Sequence, residues 1–395
     1  MGKSVLGIIG SKVATLKNSG FDEVLEFRNK NRKKFYDTSF KIKKLLTGEL
    51  AVTFKGLMNC GEAIIAPNKQ ALLLYNTEHQ VAHYGGLATC GSVWACPFCA
   101  TKIQLRRRGE VAELIEKVYE AGYKVSMITY THPHNRDFTL LENIEVFNSA
   151  LRKMKQQRWY RKHIKDNAEI GYIGDITCRE VTWGEANGWH WHAHRLVIVK
   201  NPAILMKYEV ELKKLWVHCY ESACRENLRE FTENNRKYMM ERGLDLIEKA
   251  QSTDYLVKIG NGNWGAEKEL VGVATKKGKQ GRYTPFDLVD RRDDKFIEYL
   301  QATKGKRQLL YSKGLRALFG LNEEKTDEEL IKEQVEHSIK IANISYKNWK
   351  KILRENLKVE ICEILERDLG DISNLKIWAK NKNINISFFG FDDGG

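Results

Sequence analysis

Three histidines alternate with apolar residues in segment 188–199, whose sequence is GWHWHAHRLVIV. Successive side chains of a β-strand point to opposite faces, so His190, His192 and His194 lie on the same face of a strand. Imidazole nitrogens that share a face can bind one metal ion. The apolar run that follows indicates that the strand continues into a hydrophobic core. The segment therefore predicts a metal site on a β-sheet.

A carboxylate from the preceding segment can complete this site. That segment alternates in the manner of a second strand, and a glycine-bounded turn centred near Ala186 joins it to the histidines. In the resulting antiparallel hairpin Glu180 lies opposite His192, with Cβ atoms about 5 Å apart. Glu180, His192 and His194 thus predict an open site with oxygen and nitrogen ligands, suited to manganese, magnesium or zinc. His190 is the alternative third ligand.

A second candidate site consists of cysteines. Cys90, Cys96 and Cys99 lie close together, and the last two bound a Cys-Pro-x-Cys turn. Such a turn points two thiolates at one ion and frees backbone amides to donate hydrogen bonds to the sulfurs. In a chain with no secretory pattern, crowded cysteines are typical of a reduced metal site, so we predict structural zinc. The candidates for the fourth ligand are Cys60, His79 and His83.

The elements around these sites offer contacts to nucleic acid. Residues 143–162 predict a helix with an apolar face and a basic, aromatic side. The basic run at residues 28–34 is more typical of a solvated helix face than of a DNA contact. The candidate DNA contacts are Arg106 and Arg107 at the start of a predicted helix, Thr129 and Thr131 at the end of a predicted strand, and Lys276 and Lys277 in a glycine-containing loop.

The composition fits a polyanionic partner. The 395 residues include 65 Lys and Arg against 51 Asp and Glu, which gives a formal net charge of +14. A positive balance of this size favours association with nucleic acid. The sequence contains no long apolar run and no secretory signal, so we expect a cytoplasmic protein with no membrane partner.

The order of these motifs resembles that of the rolling-circle replication initiators, which are plasmid Rep proteins of the HUH (His-hydrophobe-His) endonuclease superfamily. The resemblance lies in three ordered segments, 127–132 (MITYTH), 188–194 (GWHWHAH) and 254–258 (DYLVK). The cysteine-rich segment and the block from Phe296 to Leu315 are similar to flanking blocks of the single-tyrosine plasmid Rep family.

The resemblance covers roughly residues 85–318. It implies an α+β fold with a ferredoxin-like HUH core, a central antiparallel sheet, a zinc-knuckle-like insertion and helical accessory regions. It also implies a divalent ion, Mn²⁺ or Mg²⁺, and a tyrosine that nicks single-stranded or cruciform DNA at the plasmid origin.

Tyr255 is the expected nucleophile within this resemblance. Ser252 to Asp254 form a helix N-cap pattern, which places Tyr255 in the first turn of a helix with Lys258 on the same side. The positive end of the helix and Lys258 both favour an anionic phosphate. A covalent tyrosyl ester conserves the phosphodiester energy for later rejoining. The alternative tyrosines are Tyr283, Tyr299 and Tyr311.

One position departs from the family pattern. Members of the family can carry a glutamate one helical turn before the tyrosine, as the base that activates water at the end of a replication round. Gln251 stands at that position in this chain. Glu248 and Asp254 are the candidate replacements, although neither has the matching spacing.

The motifs divide the chain into four predicted segments. They are an N-terminal accessory region (1–85), a Cys-rich zinc-knuckle-like segment (86–105), the HUH endonuclease domain (106–318) and a helical C-terminal region (319–395). No Gly-x4-Gly-Lys-Ser/Thr motif occurs, so a host helicase and polymerase are expected partners beside the origin DNA. A homo-oligomer on DNA is left open. The alternative functions are a non-catalytic zinc-containing DNA-binding regulator and a transposase of the same superfamily.

Overall fold

The structure of the chain is a computed structural model that describes residues 21–248, 281–332 and 337–389. These residues divide into two compact units. The central unit comprises the described residues from Arg107 to Glu324. The terminal unit comprises the described residues up to Arg106 together with those from Lys325 onward. Each unit has an antiparallel sheet of its own.

Both units combine helices with antiparallel strands, which confirms the predicted α+β class. The strands are β1 (Gln70–Asn76), β2 (Val81–Gly85), β3 (Lys124–Tyr130), β4 (Gly174–Gly184), β5 (Gly188–Val199), β6 (Leu244–Ile247), β7 (Arg282–Tyr283), β8 (Leu309–Tyr311), β9 (Ser338–Ser345) and β10 (Ile386–Phe388). The helices are α1 (Phe21–Leu45), α2 (Gly48–Thr53), α3 (Lys55–Asn59), α4 (Pro97–Glu120), α5 (Leu140–Gln156), α6 (Arg158–Tyr160), α7 (Pro202–Met206), α8 (Glu209–Glu226), α9 (Glu233–Arg242), α10 (Pro285–Arg291), α11 (Asp293–Thr303), α12 (Leu315–Leu318), α13 (Asp327–Lys332), α14 (Tyr346–Arg354), α15 (Lys358–Arg367) and α16 (Ser373–Asn381). A π-helical turn, Arg161–Lys165, follows α6.

Strand β5 lies at the centre of the sheet in the central unit. The strand order is β6-β3-β5-β4-β7, and β8 also pairs with β4. The β4–β5 hairpin has the register predicted from the sequence, with Glu180 opposite His192 and Cys178 opposite His194. On its other side β5 pairs with β3, where Thr129 is opposite His194. Side chains from three neighbouring strands therefore meet beside the histidines.

The turn of the hairpin depends on Gly188. Its φ of +70° lies in the left-handed region that residues with a Cβ rarely adopt. A Cβ at this position would also lie 2.6 Å from the backbone oxygen of Asn135, in the loop that follows β3. Glycine thus allows the hairpin turn to approach that loop closely.

One face of β5 is buried beneath helices. Trp189, Trp191 and Ala193 on this face are each at most 1% exposed. Farther along the same face, the buried guanidinium of Arg195 donates a hydrogen bond of 2.6 Å to Asp175 of β4. A buried ion pair of this geometry fixes the two strands relative to each other and leaves neither charge without a partner.

Helix α5 packs against this buried face. It begins at Leu140 because Thr139 and Glu142 form a capping box, in which each side chain accepts a hydrogen bond from the other residue's backbone N–H. The apolar positions predicted from the helical spacing are all buried, namely Ile144, Phe147, Leu151 and Met154. Burial of this stripe is what holds the helix on the sheet.

The opposite face of β5, which bears the histidines, changes character along the strand. At its C-terminal end Leu196 and Ile198 join a core cluster with Met127. The apolar stripe of α4 covers this end of the face, with Val111, Leu114, Ile115 and Val118. The same strand thus contributes to the core with one half and presents His190, His192 and His194 with the other.

The terminal unit is built from both ends of the chain. Its sheet has the order β10-β9-β1-β2, so strands from the C-terminal region pair with β1. Region 319–395 was predicted to be helical, and it supplies α13 to α16 but also β9 and β10. Strand β9 was missed because its pairing partner, β1, is more than 250 residues away along the chain. Among the described helices, none has the length and apolar character needed to cross a membrane.

Candidate metal centres

Two clusters of metal-ligating side chains occur in the described part of the chain. The cluster in the central unit consists of Glu180, His192 and His194, and their candidate ligand atoms all lie within 4.8 Å of one another. His192 Nε2 is 3.2 Å from Glu180 Oε2, and His194 Nε2 is 4.0 Å from the same oxygen. All three residues are partly exposed. The cluster is therefore accessible from one side.

The donor set and its spacing suit a divalent cation. Ligand atoms held about 2.1 Å from one ion lie roughly 3 to 4.2 Å apart, depending on the angle between them. Both distances to Glu180 Oε2 fall in this range, and the third pair needs at most a small side-chain movement. Three protein ligands also leave coordination positions for water or substrate, as catalytic ions require.

Thr129 orients one of the candidate ligands. Its Oγ1 is 3.0 Å from His194 Nδ1, which is hydrogen-bonding distance. With the proton on Nδ1, His194 donates this hydrogen bond and its Nε2 keeps the lone pair that a metal ion requires. Thr129 was predicted to contact DNA, and in the structure its hydroxyl contacts an imidazole. The pairing of β3 with β5, which the sequence motifs do not reveal, brings the two together.

His190 is not one of the three clustered residues, although its side chain lies on the same face of β5 as those of His192 and His194. Its Nε2 is 2.8 Å from Thr131 Oγ1, so the second threonine predicted to contact DNA also binds an imidazole. The His190 ring stacks between His134 and His192, with centroid distances of 4.6 Å on each side. Burial and then the neighbouring imidazoles lower the pKa of His190, which keeps the ring neutral. His190 is therefore placed to support the His192 ring and not to complete the ligand set.

Another histidine at the exit of β3 belongs to the core. His132 is fully buried, and its Nδ1 is 2.9 Å from the hydroxyl of Tyr220. Burial lowers the pKa of His132 well below its usual value, so its ring is neutral. Its stacking against Tyr220 and Phe147 is that of a packed aromatic side chain.

A cavity of about 310 Å³ opens beside the stacked histidines. It is bounded by His134 and His190 on one side, by the hairpin turn at Asn187, and by Arg282 of β7. A cavity of this size can admit a nucleotide-sized group, and the arginine supplies a positive charge at its wall. Its relation to the Glu180–His192–His194 cluster is indirect, because His190 lines the cavity and stacks on His192.

The second cluster consists of four cysteines in the terminal unit, Cys60, Cys90, Cys96 and Cys99. The Sγ atom of Cys99 is 3.6 Å from those of Cys60 and Cys90, and the Cys60 and Cys96 sulfurs are 3.7 Å apart. Four thiolates at the usual Zn–S distance of about 2.3 Å in a tetrahedron lie about 3.8 Å apart. The group could therefore bind a metal such as zinc.

The local fold suits thiolate ligands. Helix α4 begins at Pro97, directly after Cys96, and Cys99 lies in its first turn. The backbone N–H of Cys99 donates to Cys96 Sγ at 3.5 Å, as the Cys-Pro-x-Cys turn predicted. The positive end of a helix favours the thiolate form.

Cys60 is the fourth member of the cluster, and His79 and His83 are not part of it. Cys60 reaches the other cysteines because the segment after it pairs with residues 86–88. In that pairing the N–H of Gly61 donates to the carbonyl of Ala88 at 2.8 Å. Burial lowers the pKa of His83 to about 4, which is typical of a neutral core histidine. The long-range pairing leaves no motif around Cys60, so its cysteine side chain was the sole signal in the sequence.

Arg107 forms ion pairs within the central unit. It is buried, and its Nη1 lies 3.2 Å from Glu110 and 3.3 Å from Glu324. The structure therefore places this predicted DNA contact in an internal ion-pair cluster. Arg106, its neighbour on α4, is partly buried.

Two of the alternative tyrosines are poorly suited to act as a nucleophile. Burial raises the pKa of Tyr299, which stacks on Trp189 in the core, and also that of Tyr311. Tyr283 is partly exposed, and its hydroxyl donates to Glu185 at 3.2 Å. Tyr311 is also partly exposed as a residue but its hydroxyl is buried, so Tyr283 has the most accessible hydroxyl of the three alternatives.

Several predicted site residues lie outside the described residues. They are Gln251, Asp254, Tyr255, Lys258, Lys276 and Lys277. Glu248 is described, and it follows β6, where its backbone carbonyl accepts a hydrogen bond from Ser126 Oγ at 2.7 Å. Ser126 is three residues before Thr129 on β3. The Glu248 backbone therefore lies roughly 10 Å from Thr129 along the strand direction.

The fold and the two clusters define a mixed α+β protein with a closed thiolate group and an open histidine–carboxylate group. Comparison with known proteins gives two relatives. The chain is 25% identical to "Protein rep" of Streptomyces lividans over 60% of this chain and 65% of that protein. It is 30% identical to "Neomycin resistance protein" of Streptomyces cyanogenus over 29% of this chain and 31% of that protein.

The aligned part of the chain spans less than two thirds of the length of these relatives. No protein-family model matches the chain. No solved structure matches it either. The similarity to a Rep protein agrees with the resemblance found in the sequence motifs at the level of a Rep-type protein.

Proposed function

We propose that the protein initiates rolling-circle replication of a plasmid by nicking single-stranded origin DNA, and that it rejoins the strand at termination. The observation that supports this most directly is the convergence of Glu180, His192 and His194 on one open site. The similarity of the chain to a Rep protein supports the same function. The proposed nucleophile is Tyr255.

In this proposal Glu180, His192 and His194 hold a single Mn²⁺ or Mg²⁺ ion. When bound, the ion polarises the scissile phosphate and stabilises the negative charge that develops on it. Thr129 keeps His194 in the tautomer that can bind metal, through the 3.0 Å hydrogen bond to Nδ1. His190 limits rotation of the His192 ring by stacking on it.

The nicking step conserves the energy of the phosphodiester. The hydroxyl oxygen of Tyr255 attacks the phosphorus, and the bond from phosphorus to the 3′ oxygen breaks. A 5′-phosphotyrosine ester forms, and the phenolic proton passes to the released 3′ oxygen. In the rejoining step a 3′ hydroxyl attacks this ester and the tyrosine regains a proton. One phosphate ester bond is made for each that is broken, so the cycle needs no nucleotide cofactor.

The remaining predicted roles belong to the same proposal. Lys258 neutralises the phosphate that Tyr255 attacks, and Asp254 or Glu248 activates water if a round ends by hydrolysis. The four-cysteine group holds a structural zinc ion in the terminal unit. Plasmid origin DNA is the partner, and a host helicase and polymerase act on the nicked origin in the cytoplasm.

The decisive experiment compares nicking by the wild-type protein and by Tyr255→Phe. The substrate is a labelled single strand of the origin of the replicon that encodes the chain, incubated with Mn²⁺. Wild type is expected to give a covalent protein–DNA adduct that resists denaturant, and Tyr255→Phe is expected to give none, because the phenylalanine ring lacks the attacking oxygen. Tyr283→Phe is the matched control, since Tyr283 has the most accessible hydroxyl of the three alternatives.

Each outcome of this experiment tests either the choice of nucleophile or the proposed function. An adduct of undiminished yield with Tyr255→Phe would contradict the choice of nucleophile, and loss of the adduct with Tyr283→Phe would assign that role to Tyr283. Tight DNA binding by wild type with no cleavage in Mn²⁺ or Mg²⁺ would favour the alternative function, a zinc-containing DNA-binding regulator.

A further inference from the structure

Two of the basic helical runs in the described part of the chain differ in their partners. In the terminal unit Arg28 and Arg32 of the first run both pair with Glu366, whose side chain is fully buried. Glu366 also accepts a hydrogen bond of 2.8 Å from the backbone N–H of Ala82. These two arginines therefore stabilise the packing of the terminal unit, where an unpaired buried carboxylate would be costly.

The second run lies in the central unit, in α6 and the π-helical turn that follows it. Arg158, Arg161 and Lys162 are exposed, and Lys165 is partly exposed over the ring of Tyr172. Within the described ranges, none of these four cations forms an ion pair. Residues 158–166 contain one carboxylate, Asp166, beside the four cations, so this stretch has a net charge of +3.

The four cations form a row that is fixed to the core. Their spacing of i, i+3, i+4 and i+7 places them along one side of a helix, over about 10 Å. Tyr160 and Ile164, which lie between them in sequence, are fully buried. The hydroxyl of Tyr160 accepts a hydrogen bond of 2.7 Å from Arg195 Nη1. The positions of the cations are thus set by the fold, and we call them the 158–165 row.

The 158–165 row belongs to the face of the sheet opposite the metal ligands. Arg195, which binds Tyr160, follows His194 directly on β5, and adjacent side chains of a strand point to opposite faces. A single strand of DNA at the Glu180–His192–His194 cluster would therefore not use this row.

The neighbouring aromatic rings contact one another. Trp159 packs on His163 at a centroid distance of 5.1 Å and on Tyr208 at 6.0 Å. This packing reduces the ring surface on which an unpaired base could stack, so charge is the main feature that the row presents. Duplex DNA carries about one negative charge per 1.7 Å of helix axis, twice the density of either of its strands, which suits a row of cations.

We infer that the 158–165 row binds the phosphate backbone of duplex DNA, at a site separate from the one that nicks the single strand. The choice of DNA as the polyanion rests on the proposed function. Duplex DNA that flanks the nicking site would be held on one face of the central unit while a single strand is processed on the other. Arg158, Arg161 and Lys162 are the residues expected to contribute most, because they are exposed.

The test compares two variants with equal loss of charge. The first is Arg158→Gln/Arg161→Gln/Lys162→Gln, and the control replaces three exposed lysines of the terminal unit, Lys347→Gln/Lys350→Gln/Lys380→Gln. Binding to a labelled 30-base-pair duplex and to a 30-nucleotide single strand is measured by fluorescence anisotropy over a range of salt concentrations. Thermal unfolding is measured for both variants.

The row variant is expected to bind the duplex about 10- to 100-fold more weakly at 0.1 M salt, with a slope of log affinity against log salt that is smaller by about 2 to 3. Single-strand binding and nicking are expected to stay within about twofold of wild type. Equal losses for the row and control variants, or an equal loss on the single strand, would overturn the inference. A wild-type protein that binds duplex through this row but never nicks would contradict the proposed function alone.

Discussion

The two metal-ligating clusters differ in almost every physical respect. The cysteine cluster has four identical soft ligands, three of them buried, with a closed tetrahedral spacing. The central cluster has one oxygen and two nitrogen ligands and is partly exposed. His190, which stacks on His192, lines a cavity of about 310 Å³. A closed set leaves no position for a substrate, whereas an open one does. Under the proposed function, the closed group would hold a structural ion and the open group the ion that takes part in nicking.

The two clusters also differ in the chain segments that they connect. Cys60 and Cys99 are 39 residues apart in the chain, and their cluster connects a loop after α3 to the start of α4. Glu180 and His194 belong to one hairpin, which backbone hydrogen bonds and a buried ion pair already hold together. Removing the ion should therefore damage the fold of the terminal unit in the first case and only the chemistry in the second.

The largest expected effect is the loss of zinc in Cys60→Ala. A three-cysteine site binds zinc far more weakly, and the free energy of structural zinc binding is of the order of 10 kcal/mol, so the terminal unit is expected to lose its stable fold. Metal content measured by mass spectrometry should fall from about one zinc per chain to nearly none. Limited proteolysis should then cut the terminal unit and leave the central unit protected.

Cys362→Ala is the matched control, because Cys362 is a buried cysteine of the same unit outside the cluster. It is expected to keep zinc and to lose at most about 1 to 2 kcal/mol of unfolding free energy. A Cys60→Ala protein with full zinc content would show that the cluster is not the zinc site.

The second effect is the loss of nicking in His192→Ala. Removing one of three ligands should abolish detectable Mn²⁺ binding by calorimetry and lower the nicking rate by about 10³-fold or more. The free energy of unfolding in the absence of metal should change by less than about 1 kcal/mol, because His192 is partly exposed. Thus this variant should separate chemistry from folding.

His190→Ala is the companion variant on the same face. His190 forms a hydrogen bond with Thr131 and stacks on His192, but it is not one of the clustered ligands. His190→Ala is therefore expected to lower Mn²⁺ affinity about tenfold. If His190→Ala proved as damaging as His192→Ala, His190 would have to be counted as a ligand.

The comparison also explains what could be predicted from the sequence. The hairpin turn, the period of two along a strand and antiparallel pairing are local rules, and they placed Glu180 opposite His192 correctly. The Cys-Pro-x-Cys turn is equally local. Cys60 and Thr129 join their clusters through pairings between distant segments, and a single sequence does not specify such pairings. The choice among Cys60, His79 and His83 was undecided for that reason.

Side-chain chemistry alone does not reveal the internal partners of polar groups. Thr129, Thr131 and Arg107 were predicted to contact DNA because hydroxyls and cations are typical of such contacts. In the structure their partners are His194, His190 and two glutamates. Whether a polar group faces a ligand or an internal partner depends on tertiary packing, which periodicity and spacing do not show.

A third prediction concerns the buried face of the hairpin that holds the open cluster. Asp175→Asn leaves the Arg195 guanidinium buried without its counter-ion, so it should lower the free energy of unfolding by about 3 to 5 kcal/mol at pH 7. Burial alone would raise the pKa of Asp175, but the charge and hydrogen bond of Arg195 hold it well below its usual range. The carboxylate therefore stabilises the fold above about pH 4, and this contribution is lost as the pH falls further.

Urea unfolding of wild type and Asp175→Asn at pH 7 and pH 3 tests this assignment. The difference between the two proteins should shrink at pH 3. Asp166→Asn is the control, since Asp166 is exposed and should be within about 0.5 kcal/mol of wild type at both values. A difference that stayed constant from pH 7 to pH 3 would mean that the Asp175 charge does not contribute.

Thr129→Val is expected to have one of the smaller effects, like His190→Ala, and it tests the open cluster without removing any ligand. Valine has nearly the shape of threonine but cannot form a hydrogen bond with His194 Nδ1, so His194 is free to rotate or to change tautomer. Mn²⁺ affinity measured by calorimetry should fall by about 10- to 100-fold. Thr129→Ser keeps the hydroxyl and should restore most of the affinity. If valine and serine bound Mn²⁺ equally well, the 3.0 Å contact would have no part in ligand orientation, and His194 would be positioned by the strand alone.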